Sequence, residues 1–206
     1  MIKVRKSVEI VVAAYKEDLS WLDQVRHPII IYNKNDVEPQ RNEKIINLHN
    51  IGRESHTYLH HIIHNYDCLS DITIFSQGWP FDHYKHFLEI ANSNSISMMN
   101  TRCAQYEDRV SRSKEYCGIG YEFKTEVPDD WNFKWIMPYA AIALEEVHPG
   151  RMPPRNYQMV CGALFAVSKE SIRKLSTSKY KYLYDQHYKM SHYGHVMEHI
   201  WYHLFN

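Results

Sequence analysis

Apolar and polar positions along this 206-residue chain change period several times, and each change marks an element. Residues 8–14, VEIVVAA, are a continuous, largely β-branched run of the kind found in a strand buried on both faces. Shorter runs at 28–32 (PIIIY), 44–48 (KIINL) and 71–76 (DITIFS) predict three further strands. EDLSWLDQV, with acids in its first turn, predicts a helix after the first strand. GRESHTYLHHIIHNY then switches to helical period, with Leu59, Ile62, Ile63 and Tyr66 forming one buried stripe. Strand, helix, strand, strand, helix, strand is the order of an α/β fold with a mostly parallel central sheet flanked by helices. In such sheets ligands bind beyond the carboxyl ends of the strands, which should gather residues 14–18, 33–36, 49–54 and 77–82.

The second half is less regular. FDHYKHFLEIA and YAAIALEEV predict helices, the latter stopping at HPG. Residues 100–135 mix charges and aromatics without period and read as irregular, with VPDDW as a turn. YQMVCGALFAV is a strand long enough to be central, and SKESIRKL opens a helix capped by Ser168, with Ser171 at the capping-box position. The last helix is expected at 193–205.

Length and composition suit one domain, 1–206, with 44% hydrophobic and 23% charged residues. The formal charge is zero, so no electrostatic footprint for a nucleic-acid polymer is present. No stretch approaches the roughly 20 apolar residues of a membrane span. Cys68, Cys103, Cys117 and Cys161 are scattered, as expected of reduced, mostly buried thiols in the cytoplasm. The 16 tyrosines would suit a carbohydrate-binding surface, though composition does not place them.

HVMEH, residues 195–199, has the inverted zinc-protease spacing, with His195 and His199 as ligands and Glu198 activating water. That chemistry needs a further ligand downstream, and the remaining IWYHLFN contains no acid. On this helix Met197, Ile200, Trp201 and Leu204 make the apolar stripe. At about 100° per residue His195 and His199 lie opposite that stripe, on a partly exposed polar face, with Glu198 on its flank. His56, His60, His61 and His64 likewise read as a solvated or cleft-lining face rather than a metal site, and His83 and His86 are weaker candidates. Asp129 and Asp130 read first as a turn.

VVAAYKEDLSWLDQV resembles the opening of GT-A-type nucleotide-sugar glycosyltransferases, in which the first strand runs into a polar segment that cradles the nucleotide base. LHNIGRESHTYLHHIIHNYDCLSDITIFSQG continues the resemblance, and CGALFAVSKESI looks like the later strand that walls the acceptor site. HVMEHIW falls where those enzymes place a helix with the catalytic carboxylate. More closely, NIGRESHTYLHHIIHNYDCLSDITIFSQGWPFDH and GALFAVSKESI resemble a family catalogued as a domain of unknown function, found in fungi, algae, bacteria and large DNA viruses. The resemblance implies a nucleotide-side half at about 1–90 and an acceptor-side half at about 91–206. It also implies a nucleotide-sugar donor and a glycan or other hydroxyl acceptor.

On that resemblance Tyr15, Lys16, Glu17, Asn50, Gly52, Arg53, His56, Gln77, Gly78 and Trp79 are the expected donor-binding residues. Glu198 is the expected base of an inverting reaction, with Asp82 second. Where GT-A enzymes place the acidic D-x-D that holds Mn²⁺ or Mg²⁺, this chain reads Ser76-Gln77-Gly78. Either Asp82 supplies the metal contact, or the diphosphate is stabilised by Arg53, Lys16 or His56 without metal. A cation at a helix N-terminus opposes the dipole, so Arg53 is expected to face a phosphate or carboxylate. A non-catalytic carbohydrate- or nucleotide-binding module is the alternative, and a metal-dependent hydrolase built on the histidines comes third.

Overall fold

The first strand, β1 (Val8–Ala14), is apolar at every position but Glu9 because it is covered on both sides. Val8, Ile10, Val12 and Ala14 point into one core, whereas Val11 and Ala13 point into the other. The computed structural model describes residues 6–106, 110–124, 135–150 and 156–206. In it, β1 is joined by β2 (Ile29–Asn33), β3 (Lys44–Asn47), β4 (Ile72–Gln77), β5 (Val110–Arg112), β6 (Tyr116–Lys124) and β7 (Asn156–Ser168). The order across the sheet is β3-β2-β1-β4-β7-β6-β5. β3, β2, β1 and β4 are mutually parallel. β7 runs antiparallel to β4 and β6, which leaves β6 in the direction of β1–β4.

Helices close both faces. On one lie α1 (Arg53–Asn65), α4 (Met137–Val147), α6 (Thr177–Lys189) and α7 (Tyr193–Phe205), packed on Val11, Tyr32, Phe75 and Phe165. On the other, a 3-10 turn at Ser20–Gln24 buries Trp21 and Leu22 with α2 (Phe87–Ala91) and α3 (Ile96–Tyr106). A short α5 (Lys169–Ile172) follows β7, and the Ser168 hydroxyl accepts the Ser171 N–H at 3.1 Å, as the cap pattern predicts.

The α/β architecture and the mostly parallel strand direction therefore match the sequence expectation, with several local corrections. The helix expected at EDLSWLDQV is only the Ser20–Gln24 turn. FDHYKHFLEIA splits into a 3-10 turn at Pro80–Asp82 and the short α2. Residues 100–135, expected to be irregular, contain most of α3, β5 and β6. α6 has no counterpart in the sequence reading.

The histidine-bearing faces agree with the expectation only in part. On α7, Glu198, His199 and His203 are buried with the apolar residues, and burial pulls the His199 ring down to about 4. α7 packs against the sheet, α1, α4 and α6, which bury His199 and His203, whereas His195 stays partly exposed as expected. On α1, His56 and His61 are buried while His64 is exposed. His61 faces β1, 3.6 Å from the Glu9 carboxylate and 3.1 Å from the Tyr32 hydroxyl. His83 is exposed, and His86 stacks on Tyr106 with ring centroids 3.8 Å apart.

Asp129 and Asp130 lie outside the described residues, as does the Cys161 side chain. Cys103 and Cys117 are buried with sulfurs 3.3 Å apart, whereas Cys68 is exposed. Among the described residues no helix is long and apolar enough to cross a membrane.

Candidate functional site

β2 and β3 extend the sheet from one side of β1, and the chain then crosses through α1 to place β4 on the other side. That reversal opens a crevice at the carboxyl ends of β1 and β4. A cavity of about 260 Å³ sits there, lined by Tyr15, Glu17, Lys34, Asn50, Arg53, Glu54 and Gln77 with Ala13 and Ala14. All four strand-end segments anticipated from the sequence contribute to it.

Its geometry depends on a strained turn. Gly52 has φ +63° and Arg53, the first residue of α1, has φ +53°. The left-handed region is free for glycine but unfavourable for arginine, so the surroundings must hold Arg53 there. They do so with a buried cation: the Lys34 ammonium donates to the Ile51 carbonyl at 2.6 Å and to the Arg53 carbonyl. Burial pulls the Lys34 pKa down to about 8, partly offset by the Glu54 carboxylate. The Ser55 hydroxyl donates to the Gly52 carbonyl at 2.8 Å and lies 2.8 Å from His187 Nε2 of α6. The turn is thus clamped from β2 and from α6.

Strain retained at a cleft is a common mark of function. Here it turns the guanidinium outward, with the Arg53 side chain 55% exposed. Arg53 Nη1 lies 3.4 Å from His195 Nε2, and Nε lies 3.6 Å from Glu54. Glu54 is buried, and its Oε1 has no hydrogen-bond partner among the described residues. Burial pushes its pKa up, and the neighbouring Glu198 charge adds to the rise despite Arg53 and Lys34. Such a carboxyl is poised to hold or accept a proton.

The expected site residues separate as follows. Tyr15, Glu17, Asn50, Arg53 and Gln77 line the cavity. Glu17 closes its own loop, its Oε2 accepting the Tyr15 and Lys16 N–H groups at 2.7 and 3.1 Å. Lys16 lines an adjoining hollow of about 180 Å³ with Asn33, Asn35 and Glu38. Gly78 is buried behind Glu17, where an added Cβ would come 2.5 Å from Oε2. Its carbonyl accepts Trp21 Nε1 at 2.8 Å. His56 belongs to a neighbouring groove below α6.

Gly52 shapes the turn without lining the cavity, and Trp79, Asp82 and Glu198 do not line it either. Trp79 packs edge-on against Phe81, centroids 4.9 Å apart, on the α2–α3 core. Asp82 is exposed on the Pro80–Asp82 turn. Glu198 is buried on α7, 3.8 Å from His195, and reaches the cavity only through its effect on Glu54. Conversely, Lys34 was missed and Glu54 was read only as a helix-start acid. The available signal for Lys34 was a lysine directly after the apolar run of the second strand.

Among the described residues no three His, Cys, Asp or Glu side chains are grouped to hold a metal. No curated protein matches the chain. Residues 10–206 match the model of the family described as "Protein of unknown function (DUF3431)", and the chain belongs to that family.

Proposed function

We propose that this protein is a glycosyltransferase of GT-A-like fold, moving a sugar from a nucleotide-sugar donor to a hydroxyl acceptor. The observation that carries the reading is the pairing, at the switch point of the sheet, of the outward-turned Arg53 with the buried, proton-seeking Glu54. The antiparallel return of β7 beside β4 agrees with the later strand of the GT-A resemblance.

In the inverting displacement, the acceptor hydroxyl gives its proton to Glu54 while its oxygen bonds to the anomeric carbon. The bond from that carbon to the diphosphate breaks, and its electron pair leaves with the nucleoside diphosphate. Arg53, supported by Lys16, neutralises the departing charge, which is usually the larger part of such catalysis. The expected base, Glu198, becomes a positioning residue that adds to the rise burial imposes on the Glu54 pKa.

Mn²⁺ and Mg²⁺ want several hard oxygen ligands. The residues at the end of β4 are Ser76, Gln77 and Gly78, Asp82 lies outside the cavity, and Glu17 is engaged by two backbone N–H groups. Glu54, the cavity's other carboxylate, favours a proton, and among the described residues no third ligand groups with these two. The donor set therefore does not fit a protein-held divalent cation, and charge neutralisation falls to the side chains. The hydrolase reading has no grouped ligands among the described residues. The non-catalytic binding module is favoured by one feature, the withdrawal of Glu198 from the cavity wall.

A thermal-shift screen with UDP, GDP, CDP and their sugars, each with Mn²⁺ and with EDTA, tests the reading. A nucleotide at about 100 times its Kd adds roughly 2.7 kcal/mol of stability, a readable shift. The expected result is a nucleotide-specific shift that survives EDTA and is lost in Arg53→Gln. Glu54→Gln should keep donor binding and lower turnover about 10²–10⁴-fold. No shift with any nucleotide would overturn the proposal; binding without turnover would select the binding module.

A further inference from the structure

Beside the strand-end cavity lies a larger groove of about 490 Å³, between the carboxyl ends of β2 and β3 and the helix α6. One wall is aromatic. Tyr184 stacks on His56 with centroids 4.3 Å apart, and Tyr188 places its hydroxyl 3.1 Å from His56 Nε2. The two tyrosine hydroxyls are 3.2 Å apart, and Tyr188 is 56% exposed, an open ring face on a rigid helix.

The opposite wall is polar and pre-set. Asn33 donates to Asn47 at 2.9 Å, and Asn47 in turn donates to Glu38 Oε2 at 2.9 Å, which fixes the Glu38 carboxylate at the rim. Asp36, Asn35, Leu48 and His49 also line the groove. Among the described residues no lysine or arginine lines the groove. His56 stays uncharged near neutrality, since burial and the Lys34 charge pull its pKa down to about 3. Oriented acceptors opposite aromatic faces suit a ligand that carries many hydroxyl donors and an apolar C–H face. The two carboxylates repel phosphates and uronates.

We propose that this groove binds a neutral, hydroxyl-rich carbohydrate. Asn35 and Glu38 are shared with the hollow that holds Lys16, which itself shares Tyr15 and Glu17 with the strand-end cavity. A glycan seated here therefore runs toward Arg53 and Glu54, and its identification as the acceptor rests on the transferase reading.

The test is NMR titration of the full chain, without nucleotide, with methyl glucoside, methyl galactoside, methyl mannoside and diacetylchitobiose. Methyl glucuronoside and uridine are the counter-probes. At least one neutral sugar should shift the Tyr184, Tyr188 and His56 resonances. Tyr188→Ala should weaken it about ten-fold, the loss expected for one stacking face, while Tyr188→Phe retains it. Methyl glucuronoside should bind more weakly than methyl glucoside, and Asp36→Asn with Glu38→Gln should narrow the gap.

Silence with every neutral sugar overturns the proposal, as do binding unaffected by Tyr188→Ala and a preference for uridine. An unchanged melting temperature shows that Tyr188→Ala is folded. Glycan binding without nucleotide binding keeps this inference and sinks the transferase reading; nucleotide binding without glycan binding does the reverse.

Discussion

Replacing Gly52 with alanine perturbs the turn that aims Arg53, and the structure sets the size of the effect. Gly52 has φ +63°, where a side chain costs roughly 1–2 kcal/mol. Its new Cβ would overlap His187 Cδ2, lying 2.8 Å from His187 Cγ and 2.9 Å from His56 Cβ. His187 is buried and tied to Ser55, so it has little freedom to retreat, and overpacking adds about 1–3 kcal/mol. Together Gly52→Ala should destabilise the fold by about 2–5 kcal/mol. With a urea m-value of roughly 2 kcal/mol/M, the unfolding midpoint should fall by about 1–2.5 M. Equilibrium urea unfolding followed by far-UV circular dichroism measures it. In a double-mutant cycle with His187→Ala, the steric part should be recovered as a coupling of about 1–3 kcal/mol, with the backbone part remaining. A stability within about 0.5 kcal/mol of wild type would refute the claim that α6 clamps this turn.

Two further perturbations probe the buried charges. Burial works to raise the Glu9 pKa, but His61, the Ser70 N–H and the Thr73 hydroxyl together bring it below 4.5. A depressed carboxylate stabilises the fold above its unfolded pKa and loses that contribution as pH falls through the folded value. Glu9→Gln should therefore cost about 1–3 kcal/mol at pH 7 and flatten the acid limb of stability against pH, read from urea midpoints between pH 3 and 7. Lys34 has the opposite linkage, because its pKa falls from 10.5 to about 8 on folding. The cost of burying its charge is full below about pH 8 and is relieved as pH rises toward 10.5. Wild type should gain on the order of 1–2 kcal/mol over Lys34→Met between pH 7.5 and 9.5. A constant difference across that range would show that Lys34 is not held in a desolvated place.

Periodicity alone located β1, β2, β3, β4, β7, α1 and α7 to within a residue or a few, because a run that must be buried on a known side leaves a period in the sequence. The switch-point logic also brought Tyr15, Asn50, Arg53 and Gln77 to one place, since strand direction decides which loops share an end of the sheet. β5 and β6 escaped notice because their mixed charges and aromatics carry no period of two. α6 escaped because TSKYKYLYDQHYK buries only Tyr180, Leu183 and His187 among polar neighbours.

The remaining features depend on partners far away in sequence. A helical wheel places His56, His61 and His199 on polar faces, but whether such a face meets water depends on what packs there. For α1 that is β1 and α6, and for α7 it is its neighbouring helices and the sheet. Lys34 becomes a clamp only because the Ile51–Arg53 carbonyls arrive from another loop, and Glu54 becomes a poised carboxyl chiefly because tertiary packing buries it, with Glu198 of α7 adding to the rise. Local pattern thus determines which segments become strands and helices. Burial, charge and proton affinity at the cleft are set by long-range neighbours, because desolvation and Coulomb interaction act through space rather than along the chain.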